Sequence, residues 1–442
     1  MSDDSAANRS AVTRLLQKLS NVHADEISAA ILAFFCLFSL FTGYAILRPL
    51  RDSMVLIGGI DTHSTNLSGL FGWTFAGMLM AMPIYGWLAS RFARRIFLPI
   101  VYVFFILNLL GFYLALKESP DSAAVARVFY VWVSVVNLFV VSVFWSLMAD
   151  TFSSEQSTRI FSFVAAGSSA GSVLGPTLTN LLVRSLGNAN LLLVSVVFWA
   201  LAITLMIAML RRYGTGVGIE RAQRPPERPI GGNPFAGFSL VFTSRYLLGI
   251  SLFIFLLSTA STLLYLQQQS LIEAVIADKT ARTQLLSRID IVVNVLAILM
   301  QLFAVGRLTS RLGVAVMLLS VPLMMVVGFS VLALVPMLAV LIGVLIARRA
   351  GEYAVMRPCR EMLFTSVPRA TKYKAKNFID TVIYRFADWM NALAHDFLVG
   401  RGATTGMIAW VGVGASAIWA LVAYTLGRRH QRQELPDAAA RA

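Results

Sequence analysis

The sequence predicts an all-α membrane protein with twelve transmembrane helices, arranged as two parallel halves of six helices each. Of its 442 residues, 57% are apolar and only 13% are charged, with a mean hydropathy of +0.73. A soluble protein is near half apolar and a quarter charged. No alternating strand pattern indicates a barrel, so helices must satisfy the backbone within lipid. Apolar runs long enough to cross a bilayer recur along the whole chain.

The first half is predicted at residues 27–210, after a polar cytoplasmic segment at 1–26. That segment has no short apolar core followed by a cleavage site of small residues, so a removable signal peptide is not expected. The six spans of this half are predicted at 27–57, 66–90, 96–116, 124–148, 160–183 and 189–210.

The second half is predicted at residues 246–426 and is followed by a cytoplasmic tail at 427–442. Residues 211–245 between the halves are rich in arginine and proline, which predicts a cytoplasmic linker rather than a span. The six spans of this half are predicted at 246–272, 289–307, 314–333, 337–365, 377–400 and 405–426.

The basic residues predict how the chain is oriented. With both termini placed in the cytoplasm, about 23 Lys and Arg fall in inner segments and about 7 in outer loops, as the positive-inside rule requires. A bacterial inner membrane is the expected location. The net charge of +15 therefore reflects topology and indicates no nucleic-acid polymer as partner. Cys36 and Cys359 lie in apolar runs without metal spacing, so no disulfide, metal or other cofactor is expected.

Two sequence features relate the chain to a known superfamily. Segments Gly86–Arg91 and Gly306–Arg311 follow the second and eighth spans with the same spacing, which indicates an internal repeat. Each segment resembles the loop motif of the major facilitator superfamily, although Ser90 replaces the usual aspartate. That resemblance implies a transporter fold.

Small residues recur at every fourth position of the fifth span. Gly167, Gly171 and Gly175 would share one helix face, which favours close helix packing. The alternative is that Gly175 and Pro176 resemble the antiporter motif of facilitator exchangers.

The tenth predicted span carries more charge than lipid tolerates. Its charged residues are Arg348, Arg349, Glu352, Arg357, Arg360 and Glu361. Arg348 with Glu352, and Arg357 with Glu361, stand four apart and could neutralise each other. Arg349, Tyr353 and Arg360 fall on one stripe, and Arg349 lies near mid-membrane without an obvious partner on its own helix. Guanidinium groups suit carboxylate and phosphate, so we expect Arg349 and Arg360 to attract an anionic substrate.

The eleventh predicted span carries a polar stripe. The stripe consists of Asp380, Tyr384, Asp388, Asn391 and His395, with Arg385 three residues before Asp388. Asp380 and Asp388 are candidates to carry a coupling proton, because a carboxylate in a low-dielectric cavity can bind one. His395 is interpreted either as a packing residue or as part of a proton relay.

The first span ends in a charged segment around a proline. Arg48 and Pro49 are followed by Arg51 and Asp52. Proline removes a helix hydrogen bond, which predicts a broken helix at a transport site. The alternative is that Arg48 and Arg51 extend to the outer interface.

Three segments resemble the ATP/ADP antiporters of plastids and intracellular bacteria. They are Leu50–Val55, Phe144–Asp150, and Arg360–Phe364 continued by Lys372–Asp380. The resemblance implies that Arg51 stands where a substrate-binding lysine sits and Asp150 where a binding glutamate sits. Gln267 to Gln269 occupy the place of a family glutamate, and Arg385 to Asp388 replace an expected lysine, which departs from the pattern for ATP/ADP exchange.

The combined prediction is a secondary transporter that works by alternating access on an organic anion, with nucleotide exchange as one form. Expected substrate contacts are Arg48, Arg51, Asp150, Arg349, Tyr353, Arg357, Arg360 and Tyr384. Expected coupling or charge-pairing residues are Asp52, Glu352, Glu361, Asp380, Arg385 and Asp388. Two alternatives remain open, a proton-coupled exporter of drugs or metabolites and a receptor that no longer transports. No phosphate-binding loop or catalytic triad indicates an enzyme. The sequence leaves the oligomeric state open, and a monomer is compatible with it.

Overall fold

The computed structural model describes residues 26–55, 66–91, 94–213, 236–364, 367, 375–376 and 378–439. Within those ranges the chain is helical and has no strand, which confirms the all-α prediction. The helices of the first half are α1 Ile27–Met54, α2 Asn66–Arg91, α3 Arg94–Glu118, α4 Ala123–Thr151 and α5 Ser154–Tyr213. Most of the predicted 1–26 segment and residues 214–235 of the predicted linker lie outside the described residues.

The second half begins with a short helix and continues through three π-helical turns. Its helices are α6 Ala236–Thr243, α7 Arg245–Val275, α8 Lys279–Met300, α9 Gly306–Leu334, α10 Leu338–Gly351, α11 Arg357–Leu363, α12 Tyr384–Gly400 and α13 Thr405–Ala439. The π-turns are Gln301–Val305, Glu352–Met356 and Ile379–Ile383.

Two glycines break helices where the sequence predicts separate spans. In α5, Gly187 has φ 77° and ψ 166°, and in α9, Gly313 has φ 76° and ψ 165°. Glycine adopts positive φ without the steric cost that other residues meet. Gly187 thus separates the fifth and sixth predicted spans, and Gly313 separates the eighth and ninth.

Eight stretches of the described chain are long and apolar enough to cross a membrane. One of them, Ile160–Tyr213, has 54 residues. At about 1.5 Å per residue it is more than twice as long as a hydrocarbon core of about 30 Å. The tenth predicted span is missing from this set because α10 has only 14 residues before its π-turn begins. The membrane-protein fold class is therefore confirmed.

The predicted break of the first span at Pro49 is wrong. Helix α1 runs from Ile27 to Met54 without a non-helical residue, and Pro49 lies inside it. A proline removes one hydrogen bond of the helix ladder. Leaving the helix altogether would expose several backbone groups in an apolar environment, which is more costly.

The described chain divides into two compact units. One consists of Met1–Arg51, Ile84–Val125 and Val133–Pro229, and the other of Asp52–Pro83, Ala126–Trp132 and Ile230–Ala442. We refer to them as unit 1 and unit 2.

In unit 1, helices α1 and α5 pack through glycines. A Cβ added at Gly167 or Gly171 would lie 2.5 Å from a carbonyl oxygen of α1, and one at Gly175 would lie 2.7 Å from another. These oxygens belong to Phe34, Phe38 and Thr42. The prediction of close packing along this glycine face is confirmed, while the antiporter-motif interpretation stays a prediction.

In unit 2, the core lies among α7, α9 and α13. Phe253 of α7 packs on Trp419 of α13 with ring centroids 5.7 Å apart, and both side chains are buried. The segments at 52–83 and 126–132 add a smaller cluster in which Leu70 and Tyr130 join Leu266 of α7. This packing fixes α7 beside the polar helices described next.

Candidate functional site

Two of the three π-turns, Glu352–Met356 and Ile379–Ile383, lie where the charged side chains of the described residues concentrate. A π-turn shifts the helical hydrogen-bond register, and such turns are frequent at functional sites. The Gln301 side chain, at the first π-turn, donates a 2.9 Å hydrogen bond to the Tyr353 carbonyl of the second. The shifted register of one helix is thus stabilised by a side chain of its neighbour.

Arg349 has an acidic partner that the sequence analysis missed. Its guanidinium lies 2.6 Å from Oδ1 of Asp290 on α8, and the side chains are 9% and 7% exposed. Asp290 belongs to a different helix, so Arg349 still has no acidic partner on its own helix, and its predicted contact with substrate stays a prediction. Burying two opposite charges as a pair costs much less free energy than burying either charge without its partner.

Arg348 pairs with Glu352 as predicted, at 2.7 Å. Tyr353 follows and lies between two guanidiniums, with Arg349 5.9 Å and Arg357 4.4 Å from its ring centroid. The short distance to Arg357 is a cation–π contact. The aromatic ring therefore orders Arg357 without neutralising it.

Arg357 does not form the predicted pair with Glu361. Glu361 instead bonds Lys376, and Arg357 is exposed and makes no ion pair with the described residues. Tyr353, four residues before Arg357, offers the guanidinium a ring on the same helix face. Arg357 is still close enough to Glu352 to interact with it electrostatically.

Arg360 makes a loose ion pair with Asp380. The two side chains approach to 3.7 Å without a hydrogen bond, and the buried Nε of Arg360 has no hydrogen-bond partner. A buried donor left unsatisfied carries a desolvation cost that a ligand could relieve. Arg357 and Arg360 lie three residues apart on α11 and so share one helix face.

Asp388 is held by two helices. Its Oδ1 accepts hydrogen bonds from Ser258 at 2.5 Å and Thr262 at 3.2 Å, both on α7, and its Oδ2 lies 3.0 Å from Arg385. Asp388 is 5% exposed, whereas the Arg385 side chain is 29% exposed. The pairing of Arg385 with Asp388 follows the predicted spacing, but the two hydroxyls were not predicted.

The remaining stripe residues of α12 lie nearby. Tyr384 is half-buried, with Arg385 5.4 Å from its ring centroid. Asn391 donates to the Ala387 carbonyl, and His395 lies 3.5 Å from Asp396. Both are buried.

The candidates in the first half lie apart from these residues along the chain. Arg51 donates to the Ser134 hydroxyl at 3.2 Å, and Arg48 is half-buried and also engaged. Asp52, which belongs to unit 2, accepts a 3.2 Å hydrogen bond from Tyr265. The side chain of Asp150 lies outside the described residues, as do those of 86–90 in the repeated loop motif.

Comparison with known proteins decides the family. Residues 32–370 match the model of the Major Facilitator Superfamily. The chain belongs to this superfamily. It is an integral membrane transporter of small molecules, not an enzyme. No curated protein matches the chain.

Several solved structures resemble this superfamily member at low sequence identity. A bacterial homologue of the iron transporter ferroportin matches with TM-score 0.66 and 14% identity, over 91% of this chain and 99% of that one. PepTSo, a transporter of the POT family, matches with a TM-score of 0.64 and 15% identity, over 93% of this chain and 99% of that one. The nucleoside transporter NupG matches with a TM-score of 0.60 and 12% identity, over 93% of this chain and 99% of that one. At such identities the likeness shows the fold alone.

For a superfamily transporter, the decisive chemistry is the charge balance of the α8–α12 region. We call the following residues the ionic cluster: Asp290, Arg348, Arg349, Glu352, Arg357, Arg360, Glu361, Lys376, Asp380, Arg385 and Asp388. Its six basic side chains face five carboxylates, so one positive charge has no acidic partner within the cluster. That charge is on Arg357, which makes no ion pair with the described residues.

Sequence reasoning missed Asp290, although a usable signal was present. Asp290 lies in the eighth predicted span, and a carboxylate in a lipid-crossing segment needs a partner just as an arginine does. Applying the same rule to both charges would have paired it with Arg349. Ser258 and Thr262 carried no comparable signal, because hydroxyls are ordinary in membrane helices.

Proposed function

We propose that this superfamily member is a secondary transporter that carries an organic anion by alternating access. Arg357 would contact the anionic group first, and Arg360 would join it by exchanging its loose contact with Asp380. Tyr353 would keep Arg357 oriented. Arg349 takes no direct part in this proposal, because its charge is already matched by Asp290.

One observation carries the proposal. Arg357 is the basic residue of the ionic cluster without a carboxylate partner, and the Nε of its neighbour Arg360 lacks a hydrogen bond. Two guanidiniums on one helix face form a fork that suits carboxylate or phosphate. A receptor that no longer transports has no need of an unneutralised cation in such a cluster.

Nucleotides are the first anions to test, because the first-span and eleventh-span segments resemble nucleotide exchangers. We further propose the six-helix halves at 27–210 and 246–426, with both termini in the cytoplasm of a bacterial inner membrane, on the basis of the arginine-rich inner segments. Organic anions that share one carboxylate or phosphate group form the wider cargo class.

Counterflow in proteoliposomes tests the proposal. Vesicles with the purified full-length chain are loaded with unlabelled compound and assayed for uptake of labelled ADP, ATP, orthophosphate, succinate or citrate, with uridine as an uncharged control. We expect saturable exchange of at least one anion and none of uridine. Arg357→Gln should raise the half-saturating concentration about ten-fold to a hundred-fold, since a charged hydrogen bond contributes about 1.5–3 kcal/mol.

Arg401→Gln is the matched control. Arg401 lies 4.3 Å from the Phe397 ring centroid, a contact like that of Arg357 with Tyr353 but in the turn after α12. It should leave the half-saturating concentration unchanged. Unaltered affinity in a folded, membrane-inserted Arg357→Gln protein, or equal exchange of uridine, would overturn the proposal.

A further inference from the structure

Helices α7 and α12 run side by side in the same direction. Thr262 of α7 donates a 3.2 Å hydrogen bond to Asp388 of α12. One turn further along each helix, Leu266 and Ala392 belong to the same apolar cluster. Parallel helices advance from one such pair to the next by equal steps along both chains. The next pair on this contact thus follows from the spacing of the first two.

Gln269 and His395 form the next polar pair in this register. They lie seven residues, or two helical turns, beyond Thr262 and Asp388, and so return to the same helix faces. Gln269 is 0% exposed and His395 is 3% exposed. Asp396 follows, with its Oδ1 3.5 Å from Nδ1 of His395. The register therefore places a carboxamide, an imidazole and a carboxylate at one level of the α7–α12 contact.

These three side chains have polar atoms without hydrogen bonds. Among the residues that the structure describes, no partner reaches Nε2 or Oε1 of Gln269, Nδ1 of His395 or Oδ2 of Asp396. Asp396 makes no ion pair with a lysine or arginine of the described chain, although its side chain is only 12% exposed. Burying a polar atom without a partner costs free energy, and burying a charge without one costs more. The three side chains therefore favour a ligand that supplies a positive charge.

The donor atoms select the kind of cation. Asp396 offers one negative charge and a carboxylate oxygen, and Gln269 offers an amide oxygen. Oxygen ligands of this kind suit hard cations. One carboxylate balances a monovalent ion, whereas a divalent ion would keep an excess charge away from water. The described residues contain no group of three or more His, Cys, Asp or Glu that could hold a metal ion, which argues against a transition-metal centre. The low exposure of all three side chains favours a small inorganic ion over a bulky organic one.

We propose that Gln269, His395 and Asp396 form a binding site for a sodium ion. Oε1 of Gln269 and Oδ2 of Asp396 bind the ion directly. Nδ1 of His395, beside the carboxylate, accepts a hydrogen bond from a water molecule on the ion. The ion joins α7 to α12 and thereby stabilises unit 2. This site uses neither cysteine, and the expectation that the chain holds no metal was based on the cysteines.

Sodium binding is measured on the purified full-length protein in detergent. No transport is involved, so the outcome does not depend on the proposed function. The thermal unfolding midpoint is recorded as sodium chloride replaces choline chloride at constant ionic strength, and bound radioactive sodium is counted by equilibrium dialysis. A ligand that binds only the folded state stabilises it. We therefore expect a saturable rise of several degrees with sodium, and one bound ion per chain.

Two substitutions test the ligands of the ion. Asp396→Asn removes the charge and keeps the shape of the side chain, and it should weaken sodium binding at least ten-fold. Gln269→Leu removes the amide oxygen and should also weaken binding at least ten-fold. The Gln269→Leu protein decides the question if Asp396→Asn does not fold.

Gln267→Leu is the matched control. Gln267 is 2% exposed, and its Oε1 likewise lacks a hydrogen bond among the described residues. It lies about 200° around α7 from Gln269, however, and its Nε2 donates to the Thr405 carbonyl. The control should lower the midpoint in both salts and keep the full sodium-dependent rise.

Three outcomes would overturn the proposal. The first is a wild-type protein that binds no sodium or is stabilised equally in choline. The second is a folded Asp396→Asn protein that loses stability in both salts but keeps its sodium affinity, which would make the carboxylate purely structural. The third is an equal loss of sodium binding in Gln267→Leu and Gln269→Leu, since the effect would then come from the packing of α7.

Discussion

Two regions of the molecule hold their helices together by opposite means. Between α1 and α5, glycines bring one helix against the carbonyl oxygens of the other, and a single Cβ would collide with them. Among α7, α8 and the α10–α12 region, charged and hydroxyl side chains join the helices at distances of 2.5–3.7 Å. The first seam has one arrangement, whereas the second consists of donors and acceptors that can exchange partners.

This difference indicates where a transporter can change its contacts. The glycine contact between α1 and α5 is stabilised by many short backbone contacts, and all of them are lost together when the two helices separate. An ion pair can release one partner to a ligand if the other partner finds a proton or another charge. We therefore expect binding and coupling to depend on the ionic cluster, and the integrity of unit 1 to depend on the glycines.

The largest expected effect comes from breaking the Asp290–Arg349 pair. Asp290→Leu leaves Arg349 charged and buried, which should destabilise the protein by about 3–5 kcal/mol. Thermal unfolding of the detergent-solubilised protein should show a midpoint many degrees below that of wild type. The loss comes mainly from the stranded guanidinium and only secondarily from the missing attraction.

The double variant Asp290→Leu with Arg349→Leu tests that cause. Replacing both members of a buried pair by apolar residues is often neutral, so most of the lost stability should return. Equal destabilisation of the double and single variants would contradict the stranded guanidinium as the cause. It would indicate that altered packing around α8 is the main cause of the lost stability.

Composition was enough to predict the fold class and the approximate bounds of several helices, such as Ile27–Met54 and Asn66–Arg91. Long apolar runs predict helices because lipid offers no other partner for the backbone. The helix of the eighth span begins at Lys279, ten residues before its predicted start at 289. Asp278 caps that helix by accepting hydrogen bonds from the backbone of Thr280 and Ala281.

The site was harder to predict than the fold. The residue types were visible, since arginines and aspartates in apolar spans have few structural explanations. The partners were not visible, because Arg349 pairs across helices and Arg357 takes an aromatic ring instead of Glu361. Helical spacing predicts only neighbours on the same helix.

The second expected effect concerns the glycine seam. Gly171→Ala places a Cβ 2.5 Å from the Phe38 carbonyl oxygen, which forces α1 and α5 apart. Overpacking of this kind typically destabilises by about 1–3 kcal/mol. The unfolding midpoint in detergent should therefore fall by several degrees, less than for Asp290→Leu.

Gly111→Ala is the control for the glycine variant. Gly111 lies in α3, and an added Cβ would have no heavy atom within 4 Å. Its midpoint should stay at the wild-type value or rise slightly, because alanine favours the helix. A similar fall for both glycines would mean that the seam between α1 and α5 has no special role.

The smallest expected effect is at the rim of the ionic cluster. Glu361 and Lys376 form an ion pair whose side chains are 46% and 29% exposed. Exposed pairs contribute about 1 kcal/mol or less, so Glu361→Gln should move the unfolding midpoint by no more than a few degrees, and less at high salt because screening already weakens the pair. A loss of stability as large as that of Asp290→Leu would show that the Glu361–Lys376 pair is shielded from water. The outer Glu361–Lys376 pair would then be no easier to exchange than the interior Asp290–Arg349 pair.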